Sequence, residues 1–420
     1  MKYRHRVLAG LFLLSIITYL DRVCISVAGP RMQADLGISP EWWGWVVGVF
    51  AISYAVFEIP SGSLGDRIGP RRVLTRIVIW WSAFTTLTGF ANSLASLLPV
   101  RFLFGAGEAG AYPNSSASIA RWFPPVERAR AHGVVWMASR IGGAISPLLV
   151  VPIQAAYGWR ASFYVFGILG VIWAVAWYIL YRDHPQEVPG VTKAELAEIG
   201  AAPAGKHQGL PWRIALRSRN LQMIMLMYFT YCYGSFFFLS WLHTYLVKGR
   251  GFSEKDLLLS TLPFILGAIA NLAGGFCSDI MVRKLGLAKG RRTIAMIGLG
   301  ASALFTVATI LTPGKYLALV FLALSYAGSD FMLPTAWAVC LDIGKKYAGA
   351  VTGAMNTAGQ AGSFISSVLF GYFVKYFGSY EIPLIPISIM LAISAALWLK
   401  IDATEELIPE DRTTADRWAA

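Results

Sequence analysis

The chain has 420 residues, of which 56% are hydrophobic and only 14% are charged. A soluble globular domain carries about 25% charged residues, so this composition excludes a soluble domain and indicates a membrane protein that crosses the bilayer many times. The net charge of +13 does not indicate a nucleic-acid partner, because the basic residues lie in short loops between apolar stretches and not on one face.

The apolar stretches are long enough to be transmembrane helices, each of which needs about 20 residues. They predict an all-α membrane protein with twelve transmembrane helices. The first helix is expected to stay in the protein, since its basic start and apolar run lack the small-residue cleavage site of a signal peptide. The predicted spans are 7–29, 42–62, 73–92, 96–120, 131–152, 161–181, 219–246, 258–281, 293–312, 316–341, 349–374 and 382–401.

The longest loop, residues 182–218, contains four prolines and divides the spans six and six. It predicts a cytoplasmic linker between an N-terminal six-helix bundle, residues 1–181, and a C-terminal six-helix bundle, residues 219–401. Residues 402–420 are expected to form a cytoplasmic tail. Because Gly, Asp and basic residues follow the second helix of both halves, we expect two bundles related by a pseudo-twofold axis.

Lysine and arginine predict the orientation, since these residues collect on the cytoplasmic side of membrane proteins. Placing both termini in the cytoplasm puts most of the loop lysines and arginines on that side. Short loops and the lack of extra domains favour the inner membrane of a bacterium. The four cysteines lie in apolar spans and form no CxxC pair, so neither a disulfide framework nor a metal site is expected.

The fourth predicted span contains two charged residues, Arg101 and Glu108, seven positions apart. Two helical turns place both on one face, about 10 Å apart along the axis. Charges in hydrocarbon are costly and are functional by default. Arg101 is therefore predicted to bind a substrate carboxylate through its planar, permanently charged fork, and Glu108 to carry a proton. A buried structural ion pair is the alternative.

The first predicted span also contains two charged residues in its middle, Asp21 and Arg22. Tyr19 and Arg22 belong to a polar stripe at helical spacing, whereas Asp21 is turned about 100° away, toward a neighbouring helix. This pattern predicts that Arg22, with Tyr19, contacts an anion and that Asp21 is a second protonation site. Alternatively, the two charges only neutralise their neighbours in a static bundle.

Several segments resemble a known transporter superfamily. The loop GSLGDRIGPRR (62–72) resembles the signature loop of the major facilitator superfamily, with Gly62, Asp66, Arg67, Gly69 and either Arg71 or Arg72 at matching positions. Of these, Gly62, Asp66, Arg67 and Gly69 are expected to form a conformational latch between the two halves. Four further segments resemble the anion:cation symporter family within that superfamily. They are YLDRVCISVA (19–28), RFLFGAGEAGAYPNS (101–115), RWFPPVERARA (121–131) and GAMNTAGQAGS (353–363).

The resemblance implies a monomeric secondary active transporter, without cofactors, that imports an organic anion by proton symport with alternating access. Members of this family take up sugar acids, namely hexonates, hexuronates and aldarates. In those members the residues matching Arg101 and Glu108 serve substrate binding and proton coupling, and the Asp21–Arg22 pair is also matched. An exchanger, or a symporter for an aromatic acid or a dicarboxylate with different ion coupling, is the alternative.

An enzyme within the membrane is a different class of protein that the sequence does not favour. It contains no HExxH motif, no GxSxG motif and no set of His and Cys residues at metal-ligand spacing. Since hydrolases and metalloenzymes of known families need such motifs, we expect that the protein is not an enzyme.

Arg140 departs from the family pattern. It lies ten residues into the fifth predicted span and follows Ser139, where sugar-acid members tend to have an uncharged polar residue that contacts substrate hydroxyls. If Arg140 faces the cavity, three arginines could bind a substrate with more than one anionic group. Arg140 could instead pair with Asp21 or Glu108, or lie nearer to a helix end.

The remaining candidates for substrate contacts are uncharged. Tyr54 could donate a hydrogen bond to the substrate, and Trp337 could cover a sugar ring. Asn356 and Gln360, four residues apart in the eleventh span, suit the recognition of hydroxyl groups. Any of the four could instead serve helix packing. His243, near the outer end of the seventh span, is expected to be polar surface.

Overall fold

The computed structural model describes residues 2–199, 211–253, 255–344 and 347–407. These residues form helices joined by short loops, and no strand is found among them. The α-helices are α1 (Tyr3–Asp35), α2 (Pro40–Ile68), α3 (Pro70–Phe90), α4 (Leu94–Glu108), α5 (Ala111–Trp122), α6 (Pro125–Tyr157), α7 (Trp159–Leu180), α8 (Lys193–Ile199), α9 (Trp212–Ala215), α10 (Arg219–Ser235), α11 (Phe237–Ser240), α12 (Leu242–Thr244), α13 (Thr261–Leu285), α14 (Leu287–Leu311), α15 (Lys315–Gly344), α16 (Ala348–Phe377) and α17 (Leu384–Leu397).

All twelve predicted spans fall on helix in the described part of the chain. Eight helical segments there are long and apolar enough to cross a membrane, and they include α1, α3, α7 and α13 to α15. The prediction of an all-α membrane protein is therefore confirmed. The other spans coincide with α2, with α4 followed by α5, with α16, and with α17 and the 3₁₀ turn Trp398–Lys400.

The fourth span is not the continuous helix that the sequence predicts. It breaks after Glu108, and α5 begins at Ala111. Gly110 has a φ of +89°, a left-handed conformation that residues with a side chain adopt only with strain. Pro113 also lacks the N–H that a continuous helix would need at that position. These two residues explain the break.

The seventh span is also less regular than the sequence predicts. α10 ends at Ser235, and the short turns α11 and α12 follow. The span then ends in a π-helical segment, Tyr245–Gly249. Segments of π-helix are rare and are often found at functional sites.

The contacts between residues divide the chain into two compact units. The first unit contains residues 1–206, 239–265 and 367–379, and the second contains residues 207–238, 266–366 and 380–420. The first unit thus includes the end of the seventh span, the start of the eighth and the end of the eleventh, as well as the first six spans. The predicted division into bundles 1–181 and 219–401 stays a prediction.

Within each unit, glycines allow helix backbones to approach closely. In the first unit, a Cβ atom on Gly105 of α4 would lie 2.6 Å from the carbonyl oxygen of Phe50 on α2. A Cβ on Gly142 of α6 would lie 2.5 Å from the carbonyl oxygen of Ile16 on α1. In the second unit, Gly298 of α14 meets the backbone of α15 in the same way. Such contacts favour helix association in a membrane, where no hydrophobic driving force acts between helices.

The linker holds the N-terminus of α1 in the first unit. The buried carboxylate of Glu195, on α8, accepts hydrogen bonds from the backbone N–H groups of Tyr3 and Arg4, at 3.1 and 2.9 Å. The Arg4 guanidinium forms ion pairs with Glu198 and with Glu127 at the start of α6. Hydrogen bonds from Lys2 and Arg4 lower the pKa of Glu198. The first turn of α1 is therefore capped by the linker.

The packing of α4 on α2 yields a prediction about Gly105. We expect Gly105→Ala to lower the Tm of the purified protein, because the added methyl group meets backbone atoms that cannot turn away, at a cost of about 1–3 kcal/mol. Gly300→Ala, in α14, is the matched control, since no atom lies within 4 Å of its added Cβ. Equal melting temperatures for the two variants would contradict the close packing at Gly105.

Candidate functional site

The site begins with a buried ion pair between α1 and α4. The Arg22 Nε donates a hydrogen bond to the Glu108 Oε1 at 2.5 Å, and the two side chains are 10% and 1% exposed. Charges held at this depth need a partner, because removing an ion from water costs several kcal/mol. Glu108 therefore pairs across helices with Arg22, rather than along its own helix with Arg101.

Aromatic rings surround the Arg22 guanidinium. Its central carbon lies 4.9 Å from the ring centre of Tyr54, 5.2 Å from that of Phe50 and 5.5 Å from that of Tyr19. A cation over an aromatic face is stabilised by the negative charge density of the ring. Two predicted contact residues, Tyr19 and Tyr54, are thus brought together with Arg22.

A second pair of buried charges lies beside the first. Arg101 is 3% exposed, and its guanidinium lies 4.5 Å from the ring centre of Phe104. Asp21 is 2% exposed, and its charge interacts with those of Arg101 and Glu108. Side-chain hydrogen bonds from α3, including one from Thr85, act on the Asp21 carboxylate. This buried charge is therefore surrounded by α3 as well as by α4.

Arg140 lies in the middle of α6 and is 6% exposed. The alternative that places it near a helix end is therefore wrong. Its guanidinium lies 5.8 Å from the ring centre of Tyr19, so Arg140 is on the same side of the unit as Arg22. Ser139 is fully buried, and its hydroxyl donates to the carbonyl oxygen of Trp136 at 2.6 Å.

Several aromatic residues at this site were missed by the sequence analysis, among them Tyr112 and Trp136. Tyr112 stacks on Trp136, with ring centres 4.7 Å apart and planes 3° apart. The Tyr112 hydroxyl lies 3.2 Å from the Ser15 hydroxyl, and it interacts electrostatically with Arg22. The signal in the sequence was that Tyr112 lies two residues after Gly110, the residue at which the helix breaks.

The other predicted contact residues belong to the second unit. Trp337 lies on α15, and Asn356 and Gln360 lie on α16. All three are half-buried. The buried side-chain oxygen of Gln360 has no hydrogen-bond partner. Their roles as substrate contacts stay predictions.

The signature loop has a partner that the sequence did not reveal. Gly69, between α2 and α3, has a φ of +87°, and the Asp183 carboxylate occupies the place of its missing side chain. Asp183 also accepts a hydrogen bond from the backbone N–H of Arg71 at 3.0 Å and pairs with Arg121. Asp183 therefore caps the N-terminus of α3.

The latch predicted from this loop stays a prediction. Arg67 is exposed in the last turn of α2. Gly62 and Asp66 lie on α2, but the Asp66 side chain falls outside those that the structure describes.

His243 is not polar surface, and that expectation was wrong. Its ring is fully buried and lies 2.9 Å from Ser26 Oγ through Nδ1 and 2.9 Å from Ser260 Oγ through Nε2. Gln33 of α1 binds the same region, since it donates to Thr244 and accepts from Lys248, each at 3.0 Å. Hydrogen bonds thus join α1 to the irregular end of the seventh span.

A family comparison identifies this arrangement of helices. The model of the family described as Major Facilitator Superfamily matches residues 11–367. The chain belongs to the Major Facilitator Superfamily. Members of this superfamily are membrane transporters, so the prediction that the protein is not an enzyme is confirmed. In the described residues, no group of His, Cys, Asp or Glu side chains could hold a metal ion.

Relatives and a solved structure agree with this family. A probable sulfoacetate transporter of Cupriavidus necator is 35% identical over 410 residues, which are 96% of this chain and 94% of that protein. The hexuronate transporter of Bacillus subtilis is 33% identical over 385 residues, or 89% of each chain. A bacterial homologue of the human lysosomal transporter Spinster has the same fold, with a TM-score of 0.77 at 19% identity, covering 96% of this chain and 97% of that one.

The burial of His243 yields a prediction about the stability of the first unit. We expect His243→Phe to lower the Tm more than Ser26→Ala does. The first change removes two buried hydrogen bonds, worth about 1 kcal/mol each, and the second removes only one of them. The double variant should then melt close to His243→Phe, because both changes remove the same Ser26 contact. A double variant whose Tm falls by the sum of the two effects would contradict the contact.

Proposed function

We propose that the protein is a secondary active transporter that imports an organic anion by proton symport with alternating access. The observation that supports this best is the buried cluster of Arg22, Arg101 and Arg140 with Asp21 and Glu108. Permanently charged guanidinium groups suit an anionic substrate, and buried carboxylates suit proton carriage. The named functions of the relatives, sulfoacetate and hexuronate transport, agree with an anionic substrate.

The Arg22–Glu108 pair suggests how proton and anion binding are coupled. Arg22 donates to Glu108, so a substrate carboxylate that binds Arg22 must compete with the Glu108 carboxylate. Protonation of Glu108 removes its charge and weakens its hold on Arg22. Proton binding therefore favours anion binding, and the reverse must also be true by linkage. Asp21, which interacts with Arg101 and Glu108, would be the second protonation site.

A sugar acid is the proposed substrate class, as a hexonate, hexuronate or aldarate. The burial of Arg140 beside Tyr19 favours a substrate with two anionic groups within this class. A third buried carboxylate, Glu58, acts on Tyr54 beside Arg22, so three arginines balance three carboxylates, and protonation of the carboxylates makes the region positive. The second candidate function is an exchanger or symporter for another carboxylate. A substrate that carries one sulfonate and one carboxylate group would fit the same charges.

The remaining parts of the proposal follow from the sequence. The protein is expected to be a monomer in a bacterial inner membrane, with both termini in the cytoplasm. Ser139, Trp337, Asn356 and Gln360 are expected to contact the uncharged part of the substrate.

The first test addresses proton coupling through Glu108. In proteoliposomes, we expect Glu108→Gln to abolish uptake against a gradient, because a neutral amide cannot bind and release the proton, while exchange of substrate across the membrane continues. The matched control is Glu127→Gln, which removes a carboxylate that pairs with Arg4 outside the cluster. If Glu108→Gln accumulates substrate as well as the parent protein does, the coupling role is wrong.

The second test addresses the substrate class. We expect sugar acids to raise the Tm of the purified protein by mass action, and Arg101→Ala to weaken that binding by about tenfold or more. Arg140→Gln should weaken the binding of an aldarate or of sulfoacetate more than the binding of a hexuronate. Stabilisation by neutral sugars alone would contradict the assignment of an anionic substrate. Equal effects of Arg140→Gln on all acids would contradict a contact of Arg140 with a second anionic group.

A further inference from the structure

The first unit has a surface groove that the transport proposal does not use. It lies between α3 and the end of α7 and has a volume of about 480 Å³. Its wall is mostly apolar, with Ile79, Trp80 and Ala83 on α3 and Tyr178 on α7. Ile79, Trp80 and Tyr178 are each between 44% and 47% exposed. The groove is therefore open to the surroundings of the helix bundle.

Two arginines stand at one end of this groove. Arg72 and Arg76 are both exposed and lie one helical turn apart on α3, about 6 Å along the axis. Neither forms an ion pair within the described part of the chain. Arg71 differs, because it donates to the carbonyl oxygen of Tyr178 at 2.9 and 2.7 Å and covers the ring of that residue. Arg71 therefore holds the wall of the groove, and the other two guanidinium groups remain for a ligand.

The arginine end of the groove lies at the same end of the bundle as the N-terminus. Tyr3 donates to the carbonyl oxygen of Leu180, which ends α7, and Asp183 caps the first turn of α3. In the orientation predicted from lysine and arginine, this end faces the cytoplasm. Anionic lipids give the cytoplasmic leaflet its negative charge, and basic pockets between helices on that side bind their head groups.

We propose that this groove binds an anionic phospholipid of the cytoplasmic leaflet. The phosphate group lies between Arg72 and Arg76, which can bind phosphate through charge-assisted hydrogen bonds. An acyl chain lies along Ile79, Trp80 and Ala83. From Arg76 to Phe84 the helix descends about 12 Å, close to the half-thickness of about 15 Å of the hydrocarbon core.

Trp80 gives the groove a fixed floor. Its indole N–H donates to the carbonyl oxygen of Leu103 on α4 at 2.9 Å, and its ring covers the backbone of Gly107, where a Cβ atom would collide with it. The ring is also tilted against Phe84, with centres 5.3 Å apart. The acyl chain thus meets a surface that is already ordered, which lowers the entropy cost of binding.

The test compares lipids added to the protein in detergent. We expect phosphatidylglycerol to raise the Tm of the parent protein more than phosphatidylethanolamine does, and inorganic phosphate to have no effect. Arg72→Gln and Arg76→Gln should each weaken the binding of phosphatidylglycerol by about fivefold. Arg283→Gln, which removes an exposed arginine from the last turn of α13, is the matched control and should leave the binding unchanged.

A second variant separates a lipid in the groove from a charge effect at the surface. Ala83→Trp fills the apolar part of the groove and leaves both arginines in place, so we expect it to remove the stabilisation by phosphatidylglycerol. Stabilisation by phosphatidylglycerol that survives in Ala83→Trp would overturn the proposal. So would equal stabilisation by phosphatidylethanolamine, or the same stabilisation by inorganic phosphate. Native mass spectrometry of the same proteins counts the bound lipid directly, and equal retention in Arg72→Gln and the parent would also overturn it.

Discussion

The ion pair between Arg22 and Glu108 is the interaction on which the centre of the first unit depends. Two charges at 10% and 1% exposure are stable only together, since a single buried charge without a partner costs about 3–5 kcal/mol. The pair therefore fixes the distance and rotation of α1 relative to α4. The aromatic rings of Tyr19, Phe50 and Tyr54 then pack around a guanidinium whose position is already set.

The close backbone contacts between helices also help to position the charged residues. Gly105 lets α4 approach α2, and Gly142 lets α6 approach α1. The first contact brings α4 to the helix that carries the Phe50 ring beside Arg22, and the second brings the helix of Arg140 to α1. Small residues thus determine which charges meet, although they carry no charge themselves.

The sequence predicted the helices and the charged residues of the site, but not which of these residues form ion pairs with each other. Helical spacing tells which residues share a face, so Arg101 and Glu108 were correctly placed on one helix. It does not tell which helix lies opposite, and the partner of Glu108 proved to be Arg22.

His243 was misjudged for a related reason. A residue near the end of a predicted span looks exposed, whereas here Ser26 and Ser260 enclose it from other segments. The capping residues Glu195 and Asp183 were invisible because they are distant in sequence from the helices they cap.

The break at Gly110 divides one predicted span between two sets of neighbours. Glu108 is the last residue of α4, and Tyr112 is the second residue of α5, so the buried carboxylate and the stacked tyrosine stand on opposite sides of the break. Before the break, Glu108 meets the Arg22 guanidinium of α1. After it, Tyr112 meets the Trp136 ring of α6. A single span thereby joins α1 to α6 through two side chains that belong to different helices.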